Sequence, residues 1–595
     1  MLRGLAPAGP QHAAGWAAAD HAAGDSVRSS RTYHVALLLA LAGLLFFLDL
    51  GGLRLTDGDE GKNAEAAREM FESGDWIRPT LNAEPRFAKP VFVYWLMSGA
   101  YRLFGVSEFA ARFPSALFGG ALILMQYAFL AYVRGRGVAL LGALMLVLNV
   151  EIVTIGRLAL TDSVLIFFTT LALFGFWLGL HGANRRFFWL FYVGMALGAL
   201  SKGPVGVLVP LIAAVPYLAL TRRFRLFWRT GYPLAGIALF LALSLPWYAV
   251  MLATHGARYA SSAHGNTVRR FLNPIDGHDG TIAFYVPFLL LGFFPWSAFL
   301  PSALYRALRN RPRGLAPDRA ETAGDQREEG TPTARDLELF AALWVVGVFL
   351  FFSLSATRLP HYIGPLFPAA AILAASYWHR GLIDPATPGI RGSFIALVSV
   401  GALVGICLVS FSSVYSAFVN TIAKEFPAAP LVSPGSGPVT MGAAMLIGMG
   451  VVGYYALRAR RRAAAFWAAA ATITVIMVLT ILVMLPRFNR YFVWPMQELA
   501  LVAGANLGPD DRLIVYGPRK PSLMFYARHT IIAASPRENK TLRSLLTDAQ
   551  TERTAIILPA RLRSKLPDEA GRFVVVREQH GYVLIANRPI TAGGP

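Results

Sequence analysis

Apolar runs of about 18 to 22 residues recur along most of this chain, each long enough to cross about 30 Å of hydrocarbon as a helix. They predict spans near 34–53, 113–133, 137–155, 163–181, 187–200, 203–220, 232–253, 281–301, 337–355, 361–377, 393–412, 438–457 and 465–485. The pattern is that of an α-helical polytopic membrane protein with about thirteen transmembrane helices. Two long polar stretches fall on one side of the membrane, a first outer loop at 54–112 and a second at 254–280, and an inner loop at 305–336 falls on the other. After Pro486 the rhythm changes: Arg512–Tyr516, Thr554–Leu558, Phe573–Val576 and Tyr582–Ile585 have the composition of short strands, and helical stretches near 520–527 and 541–549 alternate with them. The organisation that follows is a cytoplasmic tail at 1–33, a transmembrane domain at 34–485 and a small extracytoplasmic α/β domain at 486–595.

Inside the first outer loop the period becomes helical. Ala64, Ala67 and Phe71 share one face. Pro90 opens a second helix that runs through Trp95 and Tyr101 and closes at Gly105. Amphipathic helices of this kind are expected to lie flat at the membrane surface. Residues 1–33, rich in Ala, Gly and His, and the Arg/Asp/Glu/Gly/Pro-rich stretch 309–336 carry too little apolar surface to fold and read as disordered. The first apolar run reads as a retained anchor rather than a cleaved leader.

With 55% hydrophobic residues and only 15% charged, a soluble globular chain is excluded. The formal net charge of +21 would suit a nucleic-acid binder, but its placement argues otherwise. Basic clusters fall in alternate short loops, at Arg134 and Arg136, Arg185 and Arg186, Arg222 to Arg229, Arg306 to Arg313, and Arg458 to Arg462. Positive charge of this kind marks cytoplasmic loops, so no nucleic-acid partner is expected. The N-terminus is then inside, and the 54–112 loop, the 254–280 loop, the Arg358 loop and the C-terminal domain are outside. Cys407 is the one cysteine, so there is no disulfide framework. The C-terminal domain has no glycine fingerprint after its first strand, which argues against a nucleotide sugar there.

The densest chemistry is the island from Thr56 to Met70, where Asp57, Asp59, Glu60, Lys62, Glu65, Arg68 and Glu69 follow directly on an apolar run. Ionisable groups crowded against the end of a span are costly and mark function. Asp59 has a plainer reading as a cap of the helix beyond it, and Asp57 competes with it as a base.

An ordered series of motifs runs from Asp59-Glu60 through Ala64-Glu65 and Arg68-Glu69-Met70, Ser73-Gly74-Asp75-Trp76-Ile77, Lys89-Pro90, Tyr94-Trp95, Leu103-Phe104-Gly105 and Glu108 to Ser115. It continues with Arg157 to Asp162, Ser201-Lys202-Gly203-Pro204, Pro246-Trp247-Tyr248, Arg270-Phe271, Phe294-Pro295-Trp296 and Arg358 to Tyr362. Over roughly residues 34–590 the chain resembles the polytopic GT-C glycosyltransferases typified by the protein O-mannosyltransferases and the aminoarabinose transferases of lipid A. The resemblance implies inverting transfer of a sugar from a polyprenyl-phosphate donor to a lipid, glycan or protein acceptor, lipid A among them. It places the reaction at the outer face of the plasma (inner) membrane.

Carried over residue by residue, the resemblance makes Asp59 the catalytic base, with Asp162 and Glu60 beside it. It makes Lys89, Arg270, Tyr362, Lys202 and Arg358 the donor-phosphate binders, since a departing phosphate needs cations. Lys62, Tyr94 and His278 are then substrate-binding. No cofactor or metal is expected to be required, since Ala88 stands where an acidic residue often precedes the lysine. Gly61-Lys62-Asn63 also departs from the Pro-Arg-Tyr of aminoarabinose transferases, which loosens any inference to that sugar. Two other classes compete with an enzyme. A polytopic lipid-carrier flippase predicts ionisable groups deep in several spans and repeat-related broken helices. A scaffold would bind partners through the C-terminal domain.

Overall fold

The computed structural model describes residues 31–182, 184–273, 281–309, 334–423, 426–458, 461–518, 520–548 and 552–590. The expected tail at 1–30, most of the inner loop and His278 lie outside the described residues.

Among the described residues seven helices are long and apolar enough to cross a membrane, and three bent pairs raise the number to as many as ten. The predicted spans near 34–53, 187–200 and 361–377 fall instead on the shorter helices Arg31–Phe47, Phe188–Lys202 and Phe367–Ile383. Hydropathy counts apolar runs and is blind to local breaks, which is why it returns more full spans than the helices supply. The run near 137–155 shows the cause. Arg136–Val147 and Val150–Gly156 meet at 62°, because Asn149 turns its side chain back to accept a hydrogen bond from the Ile152 amide at 2.8 Å.

The helix Asp162–His181 lies at the centre of the bundle and is buried over most of its length. Phe188–Lys202 packs along it and then turns at Gly203 (φ +71°) into Val205–Leu220. The two arms of this turn touch through glycine backbones: a Cβ on Gly206 would come within 2.1 Å of the Gly198 carbonyl carbon. Lys202 is thereby held at a sharp corner beside the start of the central helix.

The first loop forms two helices, Asp59–Ser73 and Phe92–Phe104, joined by a two-stranded turn at Thr80–Leu81 and Glu84–Pro85. The small face of the first admits the second, so Tyr101 Oη donates to Ala64 O at 3.1 Å and Ser98 Oγ to Ala67 O at 3.0 Å. The expectation that these helices lie flat on lipid is corrected for Asp59–Ser73. Gly61, Asn63, Ala64, Glu65, Ala66, Ala67 and Arg68 are all buried, because the C-terminal domain covers the side that Phe92–Phe104 leaves open.

That domain is a five-stranded sheet with strand order Ile531–Ala534, Arg512–Tyr516, Thr554–Pro559, Tyr582–Ala586, Val574–Gln579. The first three strands are parallel and the last two antiparallel. Side chains alternate as a half-sandwiched sheet requires. Leu513, Val515, Ala555, Ile557 and Leu584 face the helix Trp494–Asn506 and the first loop, while Ile514, Tyr516, Ile556, Leu558 and Ile585 face Leu542 and Leu546 on the other side. The short edge strand Ile531–Ala534 was not anticipated, since four residues give too little pattern to recognise.

Candidate active site

Asp59 opens its helix, following Gly58 at φ +82°, so it is the first helical residue rather than a cap preceding a later start. Its carboxylate stays a third exposed and meets Lys89 Nζ at 3.2 Å, with the lysine almost wholly buried. Burial alone would push the Asp59 carboxyl up, but Lys89, with Arg86 and Lys202 further off, holds it below the usual carboxylate range. Arg86 is itself fixed from two sides, donating through Nε to Tyr94 Oη at 2.7 Å and through a terminal nitrogen to Asn63 Oδ1 at 3.1 Å.

A second carboxylate, Asp162, sits 3% exposed at the first residue of the central helix. Lys202 Nζ donates to its Oδ1 at 2.5 Å, and His361 Nε2 stands 3.9 Å from Oδ2. Lys202 also lies over the Tyr362 ring, 4.6 Å from its centroid. Asp59–Lys89 and Asp162–Lys202 therefore form two ion pairs of one polar rim.

Below that rim opens a cavity of about 610 Å³. Lys89, Lys202, Arg270 and Tyr362 are among the residues that line it, with Asn266, Thr267, Ser355 and Thr357 as further polar groups and Leu165, Val205, Leu208, Phe271, Phe351 and Phe352 among the apolar ones. Arg270 Nε is buried without a hydrogen-bond partner among the described residues. Three cations within a lining that is otherwise mostly apolar suit a phosphate carrying an apolar tail.

The structure separates the remaining expected site residues. Glu60 is 1% exposed and fully engaged: Arg112 Nε donates at 2.8 Å, Thr56 at 2.7 Å from its amide and 2.6 Å from its hydroxyl, and the Ala159 amide at 3.1 Å. It has no face toward the cavity and ties the loop to the bundle. Tyr94 is wholly buried and steers Arg86. Arg358 donates to Ser353 O at 3.0 Å, behind the lining formed by Ser355, Thr357 and Tyr362. Lys62 is half-buried on the turn of helix after Asp59. Asp57, the competing base, faces away from Lys89 and binds Lys520 Nζ at 2.9 Å and Ser522 Oγ at 2.5 Å. Among the described residues no group of three His, Cys, Asp or Glu side chains is placed to hold a metal ion.

Sequence reasoning passed over Arg86 and His361, although His361 belongs to a quoted motif and Asn63, the departure from an aromatic position, is what receives Arg86.

The family model described as dolichyl-phosphate-mannose-protein mannosyltransferase matches residues 59–259, the stretch that holds Asp59, Lys89, Asp162 and Lys202. The undecaprenyl phosphate-alpha-4-amino-4-deoxy-L-arabinose arabinosyl transferase of Enterobacter sp. (strain 638) is 30% identical over 369 residues, 61% of this chain and 62% of that protein. The protein of the same name from Edwardsiella ictaluri is 30% identical over 384 residues, 62% of this chain and 64% of its own length. The chain thus spans somewhat under two thirds of the length of the curated relatives it matches. The crystal structure of ArnT from Cupriavidus metallidurans bound to undecaprenyl phosphate superposes with a TM-score of 0.76 over 94% of this chain and 99% of that one, at 22% identity. The resemblance first read from the Asp59 loop is borne out in both sequence and fold: residues 59–259 match the mannosyltransferase model, the relatives are named arabinosyl transferases, and the chain shares the fold of ArnT.

Proposed function

We propose that this chain is a membrane glycosyltransferase that moves a sugar from a polyprenyl-phosphate donor to a lipid, glycan or protein acceptor, with inversion at the anomeric carbon. The observation that carries the reading is the Asp59 carboxylate, a third exposed and paired with Lys89 of a cavity lined by three cations among mostly apolar residues. The names of the relatives, which specify undecaprenyl phosphate-alpha-4-amino-4-deoxy-L-arabinose, support a polyprenyl-phosphate sugar as donor class.

In this reading the prenyl chain lies along Leu165, Val205, Leu208 and Phe351, and its phosphate meets Lys89, Arg270 and Tyr362. The arriving phosphate competes for Lys89 and releases the Asp59 carboxylate from its ion pair. Asp59 then accepts the acceptor hydroxyl proton as that oxygen bonds to the anomeric carbon. The bond from the anomeric carbon to the phosphate oxygen breaks, and the polyprenyl phosphate leaves with its negative charge met by the three cavity groups. Asp162 keeps Lys202 against Tyr362 throughout. The alternation of basic loops supports placing this chemistry at the outer face of the plasma (inner) membrane, with the N-terminus inside and the C-terminal domain outside. The flippase reading draws no support from the site, because the ion pair at its centre belongs to a loop and not to paired broken spans.

Release of polyprenyl phosphate from labelled polyprenyl-phosphate sugars, with an envelope extract as acceptor, tests the proposal on purified wild type and Asp59→Asn. The expected result is turnover by wild type, a loss of about 10²–10⁴-fold in a folded Asp59→Asn protein, and a labelled product that identifies the acceptor. No donor consumption by wild type across a broad panel would overturn it.

A further inference from the structure

The C-terminal domain is joined to the Asp59 segment by contacts that the chemistry above does not use. Asp57 lies two residues before Asp59. Its carboxylate accepts from Lys520 Nζ at 2.9 Å and from Ser522 Oγ at 2.5 Å, with the Ser522 amide at 3.4 Å. Gln497, on the helix Trp494–Asn506, donates to Ser522 Oγ at 3.0 Å and to Leu55 O at 2.6 Å. Tyr526 Oη accepts from the Leu55 amide at 2.7 Å. On the helical side of Asp59, a Cβ on Gly61 would stand 2.8 Å from both the amide nitrogen and Cα of Ser522, so the two backbones meet where only glycine fits. Gly61 is also the position at which the sequence departs from the proline of aminoarabinose transferases. The short helix Ser522–Ala527 thus grips residues 55–61 from both sides of Asp59 while leaving the Asp59 carboxylate to Lys89.

We infer that Lys520 and Ser522 of the C-terminal domain are positioning residues for the transferase, holding Asp57 and through it the Asp59 carboxylate at the cavity mouth. The inference rests on the proposed transferase reading. Neither residue lines the cavity, so each acts on the base through the segment Leu55–Gly61 that carries it. A base displaced by about 1 Å loses on the order of 10²-fold in rate while the donor is bound as before.

Two readouts on the full-length protein test this. In the turnover assay, Lys520→Met, Ser522→Ala and the pair together are expected to lower kcat by about 10 to 100-fold with donor KM unchanged, since Lys89, Arg270 and Tyr362 remain. Lys520→Arg, which keeps the cation, is expected to restore most of the lost kcat. Hydrogen exchange of residues 54–62 is the second readout, expected to rise in the double variant and not in Lys520→Arg. Faster exchange with unchanged kcat would reduce the contact to a structural one and overturn the inference. Unchanged exchange would overturn it whether or not any donor is turned over, so its failure is distinguishable from failure of the transferase reading. A double variant that does not fold is answered by Ser522→Ala alone, which removes one hydrogen bond and leaves the Lys520–Asp57 pair.

Discussion

Lys89 reaches the Asp59 carboxylate at 3.2 Å from beyond the two-stranded turn of the same loop, so the proposed base and its cation are set by the fold of that loop and not by neighbouring positions in sequence. Burial alone would raise the Asp59 carboxyl; Lys89, Arg86 and Lys202 outweigh it and hold the group below the ordinary carboxylate value of about 4. A base works when ionised, so activity is expected to persist as pH falls through about 4 and to fade only at more acid pH. Lys89→Met removes the largest of the lowering influences, and the acid limb of the kcat/KM profile, which reports the donor-free enzyme where the Asp59–Lys89 pair exists, should move up toward or beyond that value. A limb that stays in place in Lys89→Met would show that another group governs it.

Lys202 and Asp162 form a pair in which both partners are nearly buried, with side chains 11% and 4% exposed. Lys202→Met therefore strands a buried carboxylate, at a cost of about 3–5 kcal/mol. Thermal unfolding in detergent should show the loss. Asp162→Asn added to Lys202→Met is expected to recover most of the stability and little of the activity, because the cation over Tyr362 is still missing. Recovery of both would remove Lys202 from the site.

Glu60 and Arg112 make the corresponding joint between the loop and the bundle. Arg112 also donates to Leu50 O at 3.0 Å, Leu53 O at 2.7 Å and Arg54 O at 3.2 Å, closing the turn that leads into the loop. Arg112→Met takes the cation from a buried carboxylate that keeps only the neutral donors Thr56 and Ala159, and takes the donor from Leu50 O and Leu53 O, while Arg54 O keeps Asn489 Nδ2 at 3.0 Å. The expected loss is at least about 3 kcal/mol, read as a lowered unfolding midpoint, and activity should fall only as far as folded protein is lost. A folded, stable Arg112→Met with no activity would instead place this pair in the chemistry.

The membrane character, the first loop and its chief ion pair were legible because they are carried by long apolar runs and by Asp59 and Lys89 inside one motif-rich segment. Asp162, Lys202, Arg270 and Tyr362 could be named individually, but nothing in their spacing said that they meet at one cavity; packing of separate helices decides that. Glu60 illustrates the converse. Adjacent to Asp59 in sequence, it points away from the cavity because successive residues on a helix are turned by about 100°, and its lone pairs are taken by Arg112, Thr56 and Ala159. Asp57, which precedes that helix, is separated from Asp59 by a contact to Lys520 from a part of the chain that no local pattern connects to it.

Gly206 sets the spacing of the two helices that meet behind Lys202, and this leads to a prediction about the cavity rather than its polar rim. A Cβ there would lie 2.1 Å from the Gly198 carbonyl carbon and 2.3 Å from the Ala199 amide, both backbone atoms that cannot turn aside. Gly206→Ala must push Val205–Leu220 outward, and Val205 and Leu208 of that helix line the cavity. Overpacking of this kind costs about 1–3 kcal/mol, so the unfolding midpoint should drop. The displaced wall should raise the donor KM more than it lowers kcat, because Asp59 and Lys89 belong to the first loop and not to this helix. Gly120→Ala is the control: the nearest atom to its Cβ is Ala42 Cβ at 3.9 Å, an ordinary contact, and it should leave both the midpoint and KM as in wild type. A Gly206→Ala protein with wild-type midpoint and KM would mean that the helices yield without cost, and the cavity wall would then not be fixed by this contact.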